Sequence, residues 1–313
     1  MVRGALVCVL FACSVARAAP HQPVELARWD DPTGIVTASG PELVVHTTTT
    51  IAALPRAGGP ARTLVTLDDE IYDLVADDAR VYWIAHKGDA IWSMDRKKGG
   101  APRRLVAAPR HMLSTLAIAA GTLVYQEHDD AVSIVAIDRD GSHRRVLAKA
   151  LAAPTPHVVV GREVYYGARS QVWMVALAGG APRVLATETA KVTVELRDPV
   201  RRDRVIGTRE ELAPITVVAA DNAAVYFAGP KGARRLARSG GAWTDFAPGI
   251  PQFYVQDARA WFTREGTRLL RIPKAGGTTE ILAVAAGPIG TLALDDKAVY
   301  FNVGGALLRL DLE

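Results

Sequence analysis

A phrase of ten residues that recurs along the chain constrains its fold more than any other feature. A short apolar stretch leads into a polar turn and then into an aliphatic–aromatic pair, as in LVADDARVYW (74–83) and LALDDKAVYF (292–301). Looser copies occur elsewhere, and the repeat is marked by seven anchor residues: Leu43, Val81, Leu123, Val164, Val225, Ala260 and Val299. Self-similarity at a period of roughly 40 residues indicates a repeat architecture in which each unit buries its apolar face against its neighbours.

The remainder of each repeat predicts short antiparallel strands. The aromatic residue is followed by a polar turn, an alternating strand such as AIWSM (90–94), a glycine turn such as Gly99-Gly100, and a further strand such as RRLV (103–106). Paired glycines supply the positive φ angles of tight hairpins. Four such strands in roughly 40 residues are one blade of a β-propeller, so the sequence predicts an all-β fold with seven blades.

Six aromatic residues are predicted to occupy one position of the repeat and to pack between neighbouring sheets. They are Tyr82, Tyr125, Tyr165, Tyr226, Trp261 and Tyr300. The paired aspartates at 77–78 and 295–296 lie where a tight turn favours Asp, which indicates turn caps rather than calcium ligands.

The two ends of the chain predict how the ring closes. The last repeat ends after its third strand, and the segment PVELA (23–27) has the pattern of the missing fourth strand. We therefore expect the N-terminal strand to complete the last blade, because an open array would leave two unpaired edges.

One interval between anchors is longer than the others. The anchors are 38, 42, 41, 61, 35 and 39 residues apart, so the interval from Val164 to Val225 holds about 20 additional residues. That is too few for another blade. The extra material at 188–212 is predicted to be an extended hairpin or long loop between blades four and five, and long insertions in compact folds are usually functional or disordered.

The N-terminus has the pattern of a targeting segment. Arg3 precedes an apolar stretch at 4–16, and Ala16-Arg17-Ala18 is a small-x-small cleavage pattern. The sequence therefore predicts a signal peptide at 1–18 and a single domain at 19–313, exported to the periplasm or the extracellular space. An alternative is a lipid anchor on Cys13, because LFAC (10–13) is similar to a lipoprotein box.

Composition excludes several function classes for the predicted domain. Both cysteines, Cys8 and Cys13, precede it, so it has no disulfide, thiolate metal site or cysteine nucleophile. The formal net charge of +4 falls to +2 without Arg3 and Arg17, and no basic run indicates a nucleic-acid partner. The predicted domain also has no apolar stretch long enough for a membrane-spanning helix. Neither a G-x-S-x-G elbow nor a phosphate-binding loop occurs.

The phrase DARVYW (78–83), followed by Ile91 and a glycine turn, resembles the repeat of the YWTD and TolB-like superfamily of six- to eight-bladed propellers. The motif RIPKAGG (271–277) is similar to repeats of exported bacterial propellers. The resemblance covers nearly all of 19–313 and implies a ring of sheets, without implying a ligand. Ile84-Ala85 stands where the YWTD family has a threonine–aspartate pair that braces neighbouring blades, and seven repeats exceed that family's six.

Turns between the second and third strands of a blade share one face of a propeller with the connections between blades. Recognition is commonly carried by loops on a rigid scaffold. The sequence therefore favours a non-catalytic binding protein that recognises a protein, peptide or glycan of the cell envelope through this face. The candidate binding residues are His86, Arg110, His111, Glu127, His128 and His157, together with Arg197, Arg201 and Arg204 of the insertion.

A metal-assisted lyase or hydrolase on the same face is the alternative. His111 or His157 would act as the general base, and Glu127 or Asp130 would hold a divalent cation. No HxH or HExxH spacing fixes a ligand geometry, so the sequence predicts no cofactor, and a divalent cation belongs to this alternative alone. A third hypothesis is a purely architectural subunit of an envelope assembly.

Overall fold

The recurring phrases form the strands of an antiparallel meander. A computed structural model describes residues 22–31, 34–37, 40–85, 88–151, 156–197, 201, 203, 205–229, 232–248 and 255–312. Within these ranges the chain forms thirty strands and no helix, arranged as seven four-stranded sheets and one two-stranded sheet. These ranges therefore contain no helix that is long and apolar enough to cross a bilayer. The prediction of an all-β, seven-bladed propeller is confirmed.

Blades one to three are consecutive along the chain. Blade one contains β2 (Gly34–Thr37), β3 (Glu42–His46), β4 (Thr50–Pro55) and β5 (Arg62–Thr66). Blade two contains β6 (Ile71–Ala76), β7 (Arg80–Ala85), β8 (Ala90–Asp95) and β9 (Gly99–Ala107). Blade three contains β10 (Met112–Ala119), β11 (Thr122–His128), β12 (Val132–Asp138) and β13 (Arg145–Leu151).

The later blades repeat this order around one insertion. Blade four contains β14 (Val158–Val160), β15 (Glu163–Ala168), β16 (Gln171–Ala176) and β17 (Arg183–Thr187). The insertion contains β18 (Lys191–Arg197) and β19 (Val205–Leu212). Blade five contains β20 (Thr216–Ala220), β21 (Ala224–Gly229), β22 (Gly232–Ala237) and β23 (Trp243–Pro248). Blade six contains β24 (Val255–Gln256), β25 (Ala260–Glu265), β26 (Arg268–Pro273) and β27 (Glu280–Val284). Blade seven contains β28 (Ile289–Leu294), β29 (Ala298–Val303), β30 (Ala306–Asp311) and, as its outer strand, β1 (Val24–Arg28).

The first and last blades are in direct contact. Strand β1 pairs antiparallel with β30, with Val24 opposite Arg309. Leu43 and Leu54 of blade one share a buried cluster with Tyr300 and Leu307 of blade seven. The first and last blades along the chain therefore stabilise one another through strand pairing and a shared apolar cluster.

The second strand of each blade is buried because sheets pack against both of its faces. In β7, Val81 and Trp83 pack in the cluster between blades one and two, whereas Tyr82 packs in the cluster between blades two and three. Alternate residues of a strand point to opposite faces, so the position that faces the next blade is occupied by Tyr82, Tyr165, Tyr226 and Tyr300.

Two of the six predicted aromatic positions are wrong by one residue. In blade three, Val124 faces the next blade, and Tyr125 packs toward blade two. In blade six, Trp261 pairs with Gln256 just as Val225 pairs with Ala220, so Phe262 occupies the tyrosine position. The anchor of this blade is therefore Trp261 rather than Ala260.

Each of these four tyrosines joins a carboxylate and a cation at the junction with the next blade. Tyr300 donates to Asp295 Oδ2 at 2.7 Å, and Arg56 of blade one lies 2.8 Å from the same oxygen. The other three sets are Tyr82–Asp77–Arg139, Tyr165–Glu163–Arg238 and Tyr226–Asp221–Lys274. The cation follows the third strand of its blade, and at that position blades four and seven have Leu177 and Leu312.

The aspartates of these contacts also cap their turns. Asp77 Oδ1 accepts the backbone N–H groups of Ala79 and Arg80, and Asp295 Oδ1 accepts those of Lys297 and Ala298. The prediction of turn caps is confirmed. We call the four tyrosine–carboxylate–cation contacts junction braces. They lie on the face of the ring opposite to the one that carries the candidate residues.

Candidate functional site

The candidate residues belong to one side of the ring, which we call the loop face. It consists of the turns between the second and third strands and of the connections that lead to the next blade. These segments are hydrogen-bonded to one another: Ile71 N–H donates to Thr48 O at 2.8 Å, and Ile289 N–H donates to Gly266 O at 2.9 Å. The backbone of the loop face is therefore tied to the sheets.

His111, Glu127 and Arg144 form a hydrogen-bonded group on blade three. His111 precedes β10, Glu127 lies in β11, and Arg144 precedes β13. His111 Nδ1 lies 2.8 Å from Glu127 Oε1, and Arg144 Nη2 lies 2.8 Å from Glu127 Oε2. Because a carboxylate only accepts, Nδ1 carries the proton in this contact. The structure thus brings together two of the predicted residues, and sequence reasoning missed Arg144.

Glu127 is the centre of this group. Burial pushes the pKa of its carboxyl up, but the hydrogen bonds from Arg144 and His111 outweigh burial and hold the pKa below its usual value. Both carboxylate oxygens are therefore engaged and charged at neutral pH. His111 remains 30% exposed, and its Nε2 lies 3.7 Å from Asp129 Oδ2. The group can fix an imidazole at the surface and present it to a ligand.

His128 points away from this group. It follows Glu127 directly in β11, and successive side chains of a strand lie on opposite faces. Its Nε2 lies 2.7 Å from Ser114 Oγ, and burial lowers its pKa. His111 and His128 therefore do not converge on one ligand.

His157 is a buried residue between blades three and four. It is 4% exposed, and its Nε2 lies 3.2 Å from the carbonyl oxygen of Val124. Its Nδ1 has no hydrogen-bond partner among the described residues. Burial lowers the pKa of His157 to about 4, so the ring is neutral at physiological pH.

The remaining candidates are dispersed. Arg110, Asp130 and Arg201 are exposed. His86 and Arg204 lie outside the described residues, and for Arg197 only the backbone of β18 is described. Among the described residues, no group of three His, Cys, Asp or Glu side chains is placed to hold a metal ion.

The insertion forms an antiparallel hairpin on the loop face, with Lys191 opposite Leu212. Its base is hydrogen-bonded to the turn of blade four: Ile215 N–H donates to Arg169 O, and Glu188 N–H donates to Ser170 O. Ala213 N–H also donates to Ala190 O at 2.8 Å, which closes the base. The hairpin therefore leaves the ring from a fixed position.

A buried ion pair lies beneath this base. The Glu188 carboxylate contacts the Arg234 guanidinium of β22, and the two side chains are 3% and 8% exposed. Glu188 Oε1 also accepts the N–H groups of Thr189 and Ala190, and Arg234 lies over the Trp243 ring at 5.4 Å. Because the partners are 46 residues apart and follow no motif, sequence reasoning missed them.

Comparisons with known proteins show the fold. No protein-family model matches the chain, and no curated protein matches it significantly. A catalytically inactive virginiamycin B lyase from Staphylococcus aureus, solved with quinupristin, has a TM-score of 0.66 at 14% identity, covering 93% of this chain and 99% of the other. A streptogramin B lyase has a TM-score of 0.66 at 12% identity, covering 93% and 98%. BamB from Moraxella catarrhalis has a TM-score of 0.55 at 14% identity, covering 89% and 84%. Identities this low show a shared propeller architecture and nothing about activity.

Proposed function

We propose that this chain is an exported, non-catalytic binding protein whose loop face recognises a polypeptide, with the insertion hairpin as the main contact element. The observation that carries the proposal is the two-stranded sheet of β18 and β19, which pairs with no other strand in the described ranges. A two-stranded hairpin is marginally stable alone in water. Its free edges can accept an extended segment of another chain.

The surface of the hairpin supports this reading. Val205 and Leu212 are 45% and 47% exposed, and they lie among charged residues such as Lys191 and Glu210. Apolar side chains within a polar rim are typical of interaction surfaces. The buried Glu188–Arg234 pair fixes the base of the hairpin, which reduces the entropy lost when a partner binds.

Export is supported by the leader pattern at 1–18, with a lipid anchor on Cys13 as the alternative form. One protein of similar fold is the extracellular domain of a hybrid two-component system from B. thetaiotaomicron, and its location is consistent with export. Its TM-score is 0.65 at 8% identity, and this chain covers 40% of it.

The test is capture of partners from an envelope extract, followed by titration of the purified partner. The wild-type chain is compared with a variant in which residues 191–212 are replaced by a short Gly-Ser turn. We expect this replacement to abolish binding. Arg268→Ala, on the loop face of blade six, is the matched control and should leave the affinity unchanged. A partner that binds the shortened variant with wild-type affinity would contradict the proposal.

General-base catalysis at His111 is the second candidate function, because the hydrogen bond that His111 Nδ1 donates to Glu127 orients this ring as in a base–orienter pair. In that case a divalent cation would be held by Glu127, in place of the Arg144 contact with its Oε2, or by Asp130. Thermal-shift measurements with Mg²⁺, Mn²⁺ and Zn²⁺ on the wild type and on Glu127→Gln test this version. A cation-dependent shift that disappears in the variant would favour catalysis. Identical shifts in both proteins would count against it.

A further inference from the structure

Two cavities with matching walls lie between blades of the ring. The 3/4 groove, of about 380 Å³, has a lining that includes Lys149, Leu151, Tyr166, Arg169, Trp173 and Pro182. The 1/2 groove, of about 340 Å³, has a lining that includes Asp68, Asp69, Asp89, Trp83 and Trp92. Tyr166 and Trp173 are cross-strand partners, as are Trp83 and Trp92. The two grooves are therefore the same site in two copies of the repeat.

The charges at the rims of these grooves are opposite. The 3/4 groove carries Lys149 and Arg169, whereas the 1/2 groove carries three aspartates. Neither Lys149 nor Arg169 has a side-chain hydrogen bond or ion pair with another described residue. Cations that lack a counter-ion beside an apolar cavity are available to an anionic ligand.

Arg169 occupies a backbone conformation that two sister blades reserve for glycine. It is the first residue of the two-residue turn that joins β15 and β16, with φ of 53°. At the corresponding positions Gly266 and Gly304 have φ of 58° and 57°. The left-handed region is unfavourable for a residue with a Cβ, and such strain is concentrated at ligand-binding positions.

The floor of the 3/4 groove suits an apolar ring. Tyr166 and Trp173 are parallel within 6° with centroids 6.4 Å apart, and Leu151 and Pro182 complete the apolar lining. The indole Nε1 of Trp173 is buried and has no hydrogen-bond partner among the described residues, so the ring offers the groove its apolar surface.

The same lining disfavours a sugar. Gln171 is the neutral amide of the lining, and its Nε2 already donates to Thr187 Oγ1 at 3.3 Å. A neutral sugar could accept hydrogen bonds from Lys149 and Arg169, but it would leave both charges without a counter-ion and would bury hydroxyl groups against the apolar floor, which costs binding free energy.

We propose that the 3/4 groove binds a peptide segment, with an apolar or aromatic side chain on the Tyr166–Trp173 floor and a carboxylate between Lys149 and Arg169. The volume falls within the range of small-ligand sites. The groove opens beside the insertion, because Arg169 O accepts the N–H of Ile215 at the hairpin base. This subsite deepens the proposed function. Only the choice of a peptide as the ligand rests on that function.

Calorimetric titration of the purified chain with small probes tests the inference. The probes are N-acetyl-Ala-Asp-Phe-amide, N-acetyl-Ala-Ala-Phe with a free carboxylate, the neutral N-acetyl-Ala-Asn-Phe-amide, and glucuronate. We expect one or both acidic peptides to bind roughly tenfold more tightly than the neutral peptide. Comparison of the two acidic peptides separates a side-chain carboxylate from a chain terminus. Equal binding of the neutral peptide, tighter binding of glucuronate, or no binding of either acidic peptide would overturn the assignment.

Variants locate the binding. Arg169→Gly installs the residue that sister blades use, so the fold is retained, and we expect it to weaken binding of the acidic peptide roughly fivefold or more. Lys149→Ala should have a similar effect. Asp68→Asn in the 1/2 groove and Lys97→Ala on the opposite face are controls that should leave the affinity unchanged. An unchanged affinity in both Arg169→Gly and Lys149→Ala would overturn the proposal. The hairpin-replacement variant should still bind the probe, so failure of this site and failure of hairpin-mediated recognition are distinguishable.

Discussion

Glu188 and Arg234 form an ion pair that is buried at the root of the insertion, where the carboxylate also accepts two backbone N–H groups. A buried pair of this kind adds little net stability compared with well-packed apolar residues, but breaking it leaves a charge without its partner. The pair therefore specifies the position at which the hairpin leaves blade four.

The first prediction follows from this pair. Glu188→Gln should lower the free energy of unfolding by about 3 kcal/mol, because the buried Arg234 loses its closest carboxylate and keeps only the exposed Asp245, whose Oδ1 lies 3.6 Å from Arg234 Nε. Urea denaturation measures the loss, and limited proteolysis should show faster cleavage between 188 and 212. The double variant Glu188→Gln/Arg234→Met should cost less than the sum of the two single changes. Strict additivity would show that the two residues do not interact.

The second prediction concerns the strained turn at Arg169. Arg169→Gly should stabilise the protein by roughly 0.5–1 kcal/mol, because relief of the left-handed φ exceeds the added entropy of the unfolded chain. Gly266→Ala is the reverse change at the equivalent position, where an added Cβ would meet no atom within 4 Å. We expect it to destabilise by about 1 kcal/mol. Thermal unfolding of both variants checks the sign, and a destabilised Arg169→Gly variant would contradict the argument.

The third prediction tests a junction brace. Tyr300 donates to Asp295, and burial together with this carboxylate raises the pKa of the tyrosine. Tyr300→Phe should lower the free energy of unfolding by about 1 kcal/mol, because the carboxylate loses a donor in a partly buried setting. A double-mutant cycle with Arg56→Met separates the hydrogen bond from the ion pair. If Tyr300→Phe is neutral in urea denaturation, the contact does not brace the junction.

The fourth prediction concerns acid stability. Burial lowers the pKa of His157 from 6.5 to about 4, so the unfolded chain binds a proton at this site more readily than the folded chain does. The neutral His157 ring makes its full contribution to the free energy of unfolding above pH 6.5, and this contribution is lost as the pH falls toward 4. The total loss is on the order of 3 kcal/mol. His157→Gln removes the titration but keeps a donor for Val124 O. We expect a flatter dependence of stability on pH over this window.

Other histidines act in the same direction and set the background for that measurement. Burial also lowers the pKa values of His46 and His128. The wild type should therefore lose more stability in acid than His157→Gln does, while the variant retains a residual slope. Identical slopes in the two proteins would show that His157 does not titrate in this window.

The sequence was sufficient to predict the blades because each one repeats the same burial pattern in its second strand. The position of an individual aromatic was harder to predict. The turns before Trp261 and Val225 have the same length, so Trp261 is equivalent to Val225 rather than to Tyr226, as the strand register shows. Aliphatic and aromatic side chains fill the same kind of space between sheets, so composition does not separate the two faces.

The candidate site was predictable only in part. His111 and Glu127 were expected on one face and are in contact, because the connection and the strand end meet there. His157 was expected to bind a ligand or to act as a base on this face. The structure buries it between blades three and four, where the neutral ring has the Val124 carbonyl as its hydrogen-bond partner. Arg144 and the Glu188–Arg234 pair depend on contacts between distant segments, for which a single sequence carries no signal.

The junction braces are unevenly distributed around the propeller, so some junctions between blades are mechanically weaker than others. In the part of the chain that the structure describes, the tyrosine–carboxylate–cation contact occurs at four of the seven junctions. At the junction of blades one and two, Val44 stands at the tyrosine position, but Arg96 still bridges the blades by donating to Glu42 O at 2.8 Å. At the junctions of blades three with four and six with seven, both the tyrosine and the cation are replaced, the cation by Leu177 and Leu312. Those two seams separate an arc of blades four to six from an arc of the other four blades. A load that pulls the ring apart should part it first along these seams, and the 3/4 groove lies on one of them.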